Sequence, residues 1–298
     1  MSLDLGYTMP ELPEVETIKR SLAHEIVNKK IKNVWVEPSF KKKISPNTEK
    51  FVEFLVGKKF THVARRTKML IFTVTKDLAV LTHLKMTGQL VYSPRQGQAI
   101  GGGHNLDEKK QPNRFTRVRF DFADGSTLYF NDMRKFGFMK LLNSAELRGK
   151  LAKYGPDPFD KSFTFACFQA GLSKRQGRRI KTVLLDQTFV AGIGNIYADE
   201  ICFAARVHPE KKVKALDAVE IKNFFLLIKK ILAKAVKYHG TSVNTYVDGA
   251  GRSGGYQRFL NVYDRKGEKC HRCGSIIQKI KIGGRSSSFC PRCQTLAA

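Results

Sequence analysis

Cys270-His-Arg-Cys273, a gap of sixteen residues, then Cys290-Pro-Arg-Cys293: this spacing constrains the chain more than any other feature in it. Two C-x-x-C pairs at such a separation have the spacing of a four-cysteine zinc ribbon. Each pair forms a tight knuckle, so four thiolates converge as a tetrahedron with no position open to water. The expected metal is one structural zinc ion, with no organic cofactor. A segment this short buries little apolar surface, and metal binding supplies its folding energy, about 10–16 kcal/mol for sites of this kind. Two disulfides are the alternative. Cys167 and Cys202 argue against it, because they are solitary and lie in apolar helical stretches. An oxidised secreted chain rarely carries both patterns.

Between the knuckles, Ile276 to Ile282 reads as a strand, Gly283-Gly284 as a turn, and Arg285 as the tip of a hairpin pinned by the metal. A guanidinium at a rigid tip suits phosphate, with forked donors and a fixed charge. A solvated surface arginine is the bland alternative. Composition bears on the choice: Lys+Arg is 53 against Asp+Glu 26, a net charge of +27. Such a surplus is the footprint of a polyanion partner, nucleic acid first and an anionic membrane surface second. No run of eighteen apolar residues exists, so the sequence predicts no membrane span. The opening MSLDLGYT has neither the basic nor the apolar region of a signal peptide. With reduced-type cysteines, this points to the cytosol or nucleoid. Hydrophobic content of 42% supports packed cores rather than a disordered basic tail.

Along the chain, acids cluster near Pro13, and Val15, Ile18, Leu22 and Ile26 follow with helical period. Strands are predicted at Val34–Val36, Phe60–Val63, Met69–Val74, Ala79–Leu84 and Gln89–Tyr92. A short helix interrupts them at Thr48–Leu55. Two further runs, Val118–Phe122 and Thr127–Phe130, flank Asp124-Gly125, a strong hairpin signal. Residues 94–113, rich in Gly, Gln and Lys, read as a mobile loop, and 240–255 as a second one. Helices are predicted at Phe163–Leu172, Arg179–Leu185, Ile196–Ala205 and Ala215–Tyr238, with a domain boundary near Gly155-Pro156-Asp157-Pro158. The fold class is α+β: an antiparallel β-sandwich with flanking helices over 10–150, a helical domain over 160–260, and the four-cysteine finger, a β-hairpin, over 262–298.

Gly192-Ile193-Gly194-Asn195 sits between two apolar helices. Its glycines permit a tight turn that aims N–H groups at an anion, and Asn195 adds a side-chain donor. By itself G-x-G-N is weak, and a plain helix–turn–helix link is the alternative. Joined to the rest, it becomes specific. Pro10-Glu11-Leu12-Pro13-Glu14-Val15-Glu16-Thr17 resembles the start of the bacterial formamidopyrimidine-DNA glycosylases of the Fpg/Nei family. The turn from Gly192 to Tyr197 resembles their helix–two-turns–helix motif, and the four cysteines resemble their zinc finger. The resemblance runs from Pro10 to about Cys293, in family order.

It implies base-excision repair by a bifunctional enzyme that removes oxidised purines (8-oxoguanine, formamidopyrimidines) and then nicks the abasic strand. By resemblance Pro10 is the nucleophile, its secondary amine forming an iminium with the opened sugar that permits β- and δ-elimination. Glu11 moves protons at the sugar. Lys68 contacts phosphate and assists elimination, and Arg285 grips the phosphate beside the lesion. Lys181 and Asn195 match phosphate contacts on the kinked strand. An enzyme acting on a stacked base must flip it out and fill the void, and Met86, Arg134 and Phe136 match the residues that do so. The implied partner is duplex DNA with oxidised purines or abasic sites, bound by a monomer.

Two departures stand out. Pro10 is the tenth residue, and an internal proline has no free amine. The reading therefore expects 1–9 to be an extension absent from the mature active enzyme. Phe115 stands where many relatives carry a phosphate-contacting histidine, so Arg114 or Arg117 would have to substitute. Three other readings remain open: an endonuclease VIII-type enzyme for oxidised pyrimidines, disfavoured by Leu12; a non-catalytic zinc-ribbon DNA-binding protein; and a basic RNA-associated protein.

Overall fold

The structure, a computed structural model, describes residues 9–97, 99–104, 111–242, 246–247 and 254–296. The extension to residue 8, and parts of the loops expected at 94–113 and 240–255, lie outside those residues. The chain divides into two compact units, Met1–Ala152 with Val236–Gln257, and Lys153–Ala235 with Arg258–Ala298.

The first unit opens with helix α1 (Leu12–Ile26). Leu12, Val15, Ile18, Leu22 and Ile26 form one buried stripe along it. Then come β1 (Ile31–Val36), β2 (Ile44–Ser45), α2 (Thr48–Leu55), β3 (His62–Arg66), β4 (Met69–Thr75), β5 (Leu78–His83), β6 (Gly88–Ser93), β7 (Ile100–His104), β8 (Thr116–Phe122), β9 (Thr127–Asp132), β10 (Phe138–Asn143) and α3 (Ser144–Leu151). Two sheets result. One runs β1-β8-β9-β6-β7 and the other β2-β10-β5-β4-β3. Every pair is antiparallel except β2 with β10, which is parallel. Alternate residues of both sheets meet in one core with Phe40, Phe51, Phe60, Phe72, Phe120, Phe122 and Phe130. The Asp124-Gly125 turn joins β8 to β9, with Gly125 at φ +85°.

The glycine-rich stretch expected as loop contains β7: Ile100 to Gly103 pair along β6 from Tyr92 to Gln89. Ladder pairing uses only backbone N–H and C=O, so glycines lacking any strand-like side chain can still form a strand.

The second unit holds α4 (Phe165–Ser173), α5 (Ile180–Leu184), α6 (Asn195–Ala205) and most of α7 (Ala218–Lys237). The chain after α7 belongs with the first unit. There β11 (Tyr246–Val247) pairs with β7, and Glu14 Oε1 accepts the Thr241 N–H at 2.8 Å. The finger packs with the second unit through β12 (Gln278–Ile282) and β13 (Arg285–Phe289). Glu200 of α6 holds the chain leading into it, accepting N–H bonds from Asn261, Val262 and Tyr263 at 2.9–3.0 Å.

Candidate active site and nucleic-acid interface

The start of α1 is a reciprocal cap. Glu11 is the N-cap; its side chain accepts the Glu14 N–H, and Glu14 Oε2 accepts the Glu11 N–H at 2.9 Å. Pro13 fits here because a first-turn N–H needs no helical partner. Pro10, Glu11, Glu14 and Lys68 are all buried. Both oxygens of Glu14 are engaged, one by the cap and one by Thr241, so it fastens the cap to the segment after α7. Gly240 passes close beneath, at φ +80°, where a Cβ would lie 2.8 Å from Glu14 Oε1.

Lys68 is the second residue of the turn between β3 and β4, after Thr67 in the left-handed region at φ +58°. Arg65 fixes that turn: its Nη1 donates to Thr67 O at 2.9 Å and its Nε to Glu16 Oε2 at 3.0 Å. Burial would raise the Glu16 carboxyl, but Arg20 and Arg65 hold it below the usual carboxylate range. His83, not singled out from the sequence, feels the Lys68 charge. Burial, then Lys85 and Lys68, push its imidazole down to about 3, so it is neutral and its Nδ1 accepts the Lys85 N–H at 3.0 Å. Its signal was its place in the His83–Gly88 stretch that supplies Met86.

Met86, Arg134 and Phe136 meet, although they come from different turns. The Arg134 guanidinium lies 4.7 Å above the Phe136 ring, and its Nη1 is 3.5 Å from Met86 Sδ. Phe136 is 46% exposed, unusual for a phenylalanine beside a β-sandwich core. The three form an exposed cationic-aromatic tip. Arg114 is also exposed, with its guanidinium 4.8 Å over Phe115. Arg117 cannot replace a phosphate-contacting histidine, since it is buried, donates to Asp132 O at 2.8 Å and faces Glu37 at 3.7 Å.

In the second unit the cysteine geometry fits one zinc. Cys270 and Cys293 Sγ are 4.0 Å apart, Cys273 and Cys290 3.4 Å, and all four lie within 4.8 Å of one another. Sulfurs on a tetrahedral zinc are about 3.8 Å apart. The knuckle N–H groups of Arg272 and Cys293 point at Cys270 and Cys290 Sγ, both at 3.4 Å, as thiolate ligands require. Gly283 and Gly284 turn at φ +56° and +78°, and Arg285 is exposed beside them. A cleft of about 660 Å³ opens there, lined by Arg178, Thr182, Gln187, Gly283 and Arg285. Asn195, first residue of α6, donates to Ser286 O at 3.0 Å, which ties the Gly192–Gly194 turn to the strand of Arg285.

Lys181 is corrected. Its side chain is wholly buried, paired with Asp199 and donating to Ser287 Oγ at 3.3 Å. Asp199 also accepts from Ser287 Oγ at 2.7 Å and Ser288 N at 3.0 Å. Burial pushes its carboxyl up, against the pull of Lys181. The pair therefore pins the finger's second strand to α5 and α6, and no phosphate can reach this ammonium. Arg178 and Arg179 just before it stay exposed, so the basic neighbourhood in sequence does not carry Lys181 to the surface.

Among the described residues no helix is long and apolar enough to cross a membrane. Three family models match in succession: the formamidopyrimidine-DNA glycosylase N-terminal domain over residues 9–139, its H2TH domain over 154–247, and the zinc finger found in FPG and IleRS over 267–296. The formamidopyrimidine-DNA glycosylase of Ligilactobacillus salivarius is 41% identical over 290 residues, 97% of this chain and 99% of the relative. That of Listeria innocua is 42% identical over 288 residues, 96% and 100% of the two chains. Among solved structures, the Lactococcus lactis Fpg bound to abasic-site DNA superposes with a TM-score of 0.85 at 36% identity, covering 96% of this chain and 100% of that one. The wild-type Lactococcus lactis Fpg (MutM) bound to N7-benzyl-Fapy-dG DNA gives the same values.

Proposed function

This chain belongs to the formamidopyrimidine-DNA glycosylase family, and from that premise we propose that it excises oxidised purines from duplex DNA and then cleaves the abasic strand. The reading places it in base-excision repair, at work in the nucleoid as a monomer. Its partner is duplex DNA carrying 8-oxoguanine, formamidopyrimidines or abasic sites.

In this reading the amine of Pro10, freed as the first residue of the mature chain, attacks the anomeric carbon and expels the base. The carboxyl of Glu11, held by the cap, moves protons between sugar and leaving base. The iminium formed at Pro10 acidifies the neighbouring carbon, so the 3′ and then the 5′ phosphate leave by β,δ-elimination. Lys68, kept at its turn by Arg65, neutralises phosphate and assists elimination. The tip of Met86, Arg134 and Phe136 fills the void left by the flipped nucleotide. Arg285 and Asn195 take the phosphates beside the lesion, and the zinc, held by Cys270, Cys273, Cys290 and Cys293, stiffens the hairpin that presents Arg285. Lys181 has no part in that grip.

The observation that supports this most is the convergence of Met86, Arg134 and Phe136, which a core-packing role leaves unexplained. The test is strand cleavage of duplexes carrying 8-oxoguanine opposite cytosine, thymine glycol opposite adenine, or no lesion. Preferential cleavage of the first, leaving phosphate at both new ends, is expected. Preference for thymine glycol would move the enzyme to oxidised pyrimidines, and binding without cleavage would leave a DNA-binding relative.

A further inference from the structure

We infer that Asp132 is the positioning residue of the void-filling tip, a buried carboxylate that sets Met86, Arg134 and Phe136 in register with one another. The inference rests on the proposed roles of those three residues.

Asp132 ends β9 opposite Gly88 and has no exposed surface. Its Oδ1 accepts the Thr87 hydroxyl at 2.5 Å and the Arg134 N–H at 3.2 Å, and its Oδ2 accepts the Gly137 N–H at 2.7 Å. Each donor is next to, or part of, a residue of the tip: Thr87 follows Met86, Arg134 is itself a member, and Gly137 follows Phe136. Thr87 Oγ1 closes the circuit by accepting the Arg134 N–H at 3.0 Å. The main chain of Asp132 extends the hub, with its N–H donating to Phe115 O and its carbonyl accepting from Arg117, both at 2.8 Å.

The backbone is shaped to descend on this carboxylate. Lys135 turns through φ +54°. A Cβ on Gly137 would lie 2.6 Å from Phe130 and 3.1 Å from Asp132 Oδ2, so only glycine brings that N–H so close. On the other side, a Cβ on Gly88 would meet Leu84 O at 2.3 Å, which keeps the Met86–Thr87 turn equally tight. A buried carboxylate accepting several N–H and O–H bonds makes stronger bonds than a neutral acceptor. It also fixes direction. An amide in its place turns one acceptor into a donor, which then faces the Gly137 N–H or the Thr87 and Arg134 donors. A hydrophobic core alone needs no such group here.

The test uses the full chain with Pro10 as first residue, and variants Asp132→Asn, Thr87→Val, Arg134→Ala and Phe136→Ala. One readout is borohydride trapping on an abasic site in duplex against the same strand alone, where no void has to be filled. The other is fluorescence of 2-aminopurine placed beside a tetrahydrofuran abasic analogue in duplex, which reports insertion. Asp132→Asn should lower the duplex-to-single-strand trapping ratio by about tenfold, as one lost charge-assisted bond implies. It should quench the insertion signal and leave single-strand trapping within about twofold. Thr87→Val should move both readouts the same way, and Phe136→Ala added to Asp132→Asn should do less than the product of the two. A normal ratio and normal fluorescence in Asp132→Asn, with Phe136→Ala impaired, overturns the positioning role alone. Normal values in both Arg134→Ala and Phe136→Ala overturn the tip assignment and this inference with it. If Asp132→Asn fails to fold by circular dichroism, Thr87→Val decides on the same outcomes.

Discussion

Replacing Lys181 by methionine separates a structural charge from a DNA-binding one. The substitution keeps the length and apolar stem of the side chain and removes the ammonium, leaving Asp199 buried with only Ser287 and Ser288 donating to it. Breaking a buried pair from one side costs about 3–5 kcal/mol. The two remaining donors place this case at the lower end, about 3 kcal/mol. For a unit the size of Lys153–Ala235 with Arg258–Ala298, that corresponds to a fall in Tm of about 10 °C. The deficit has a definite pH dependence. Burial already raises the Asp199 carboxyl, and losing Lys181 raises it further. The folded state then binds more protons than the unfolded one, so stability falls as pH rises from the unfolded pKa through the folded one. The deficit should be smaller at pH 5 than at pH 8. Thermal unfolding by circular dichroism reads both. Binding to a tetrahydrofuran duplex across a salt series reads the other half: log K against log salt should keep its slope, since no phosphate contact is lost. A slope reduced by about 0.9 with an unchanged Tm would refute the buried-pair reading and restore Lys181 to the DNA surface.

Arg285→Ala should behave oppositely, with Tm unchanged and the salt slope reduced by about 0.9; an unchanged slope would remove Arg285 from the phosphate grip. Cys290→Ser should lose zinc and duplex binding together, measured by metal analysis and anisotropy, because the hairpin has little core of its own. Gly240→Ala should destabilise by about 1–3 kcal/mol through its positive φ and its approach to Glu14, seen as a lower Tm. His83 is pushed down to about 3, so it favours the folded state fully above the unfolded pKa of about 6.5 and loses that contribution as pH falls toward 3. His83→Gln should therefore flatten the acid side of the Tm–pH curve between pH 6.5 and 5, and an identical curve would show that this imidazole titrates normally.

What the sequence revealed follows from where side chains carry the signal. Thr48–Leu55 and the Asp124-Gly125 hairpin were legible because a cap, a helical period and a left-handed turn are local. The four cysteines were legible because ligand spacing is chemistry written in order. β7 was not, because its glycines bring nothing but backbone to the ladder. Nor was β10, since Phe-Met-Lys-Leu-Leu-Asn lacks alternation and becomes a strand only between β5 and β2. Within the site, motif resemblance named Met86, Arg134 and Phe136, yet Asp132, which ties their turns together, has no signature beyond lying two residues before Arg134. Lys181 and Arg117 show the converse: a basic residue in a basic stretch reads as surface until the fold turns it inward.

The most direct measurement is borohydride trapping on duplex DNA with one 8-oxoguanine opposite cytosine, using chains proven by intact mass to begin at Pro10, followed by peptide mapping of the adduct. The account predicts a covalent adduct on the peptide that starts with Pro10, lost when that amine is blocked by acetylation or by the preceding residues. An adduct mapped to Lys68 or another lysine, or none at all from such chains, would contradict Pro10 as the nucleophile.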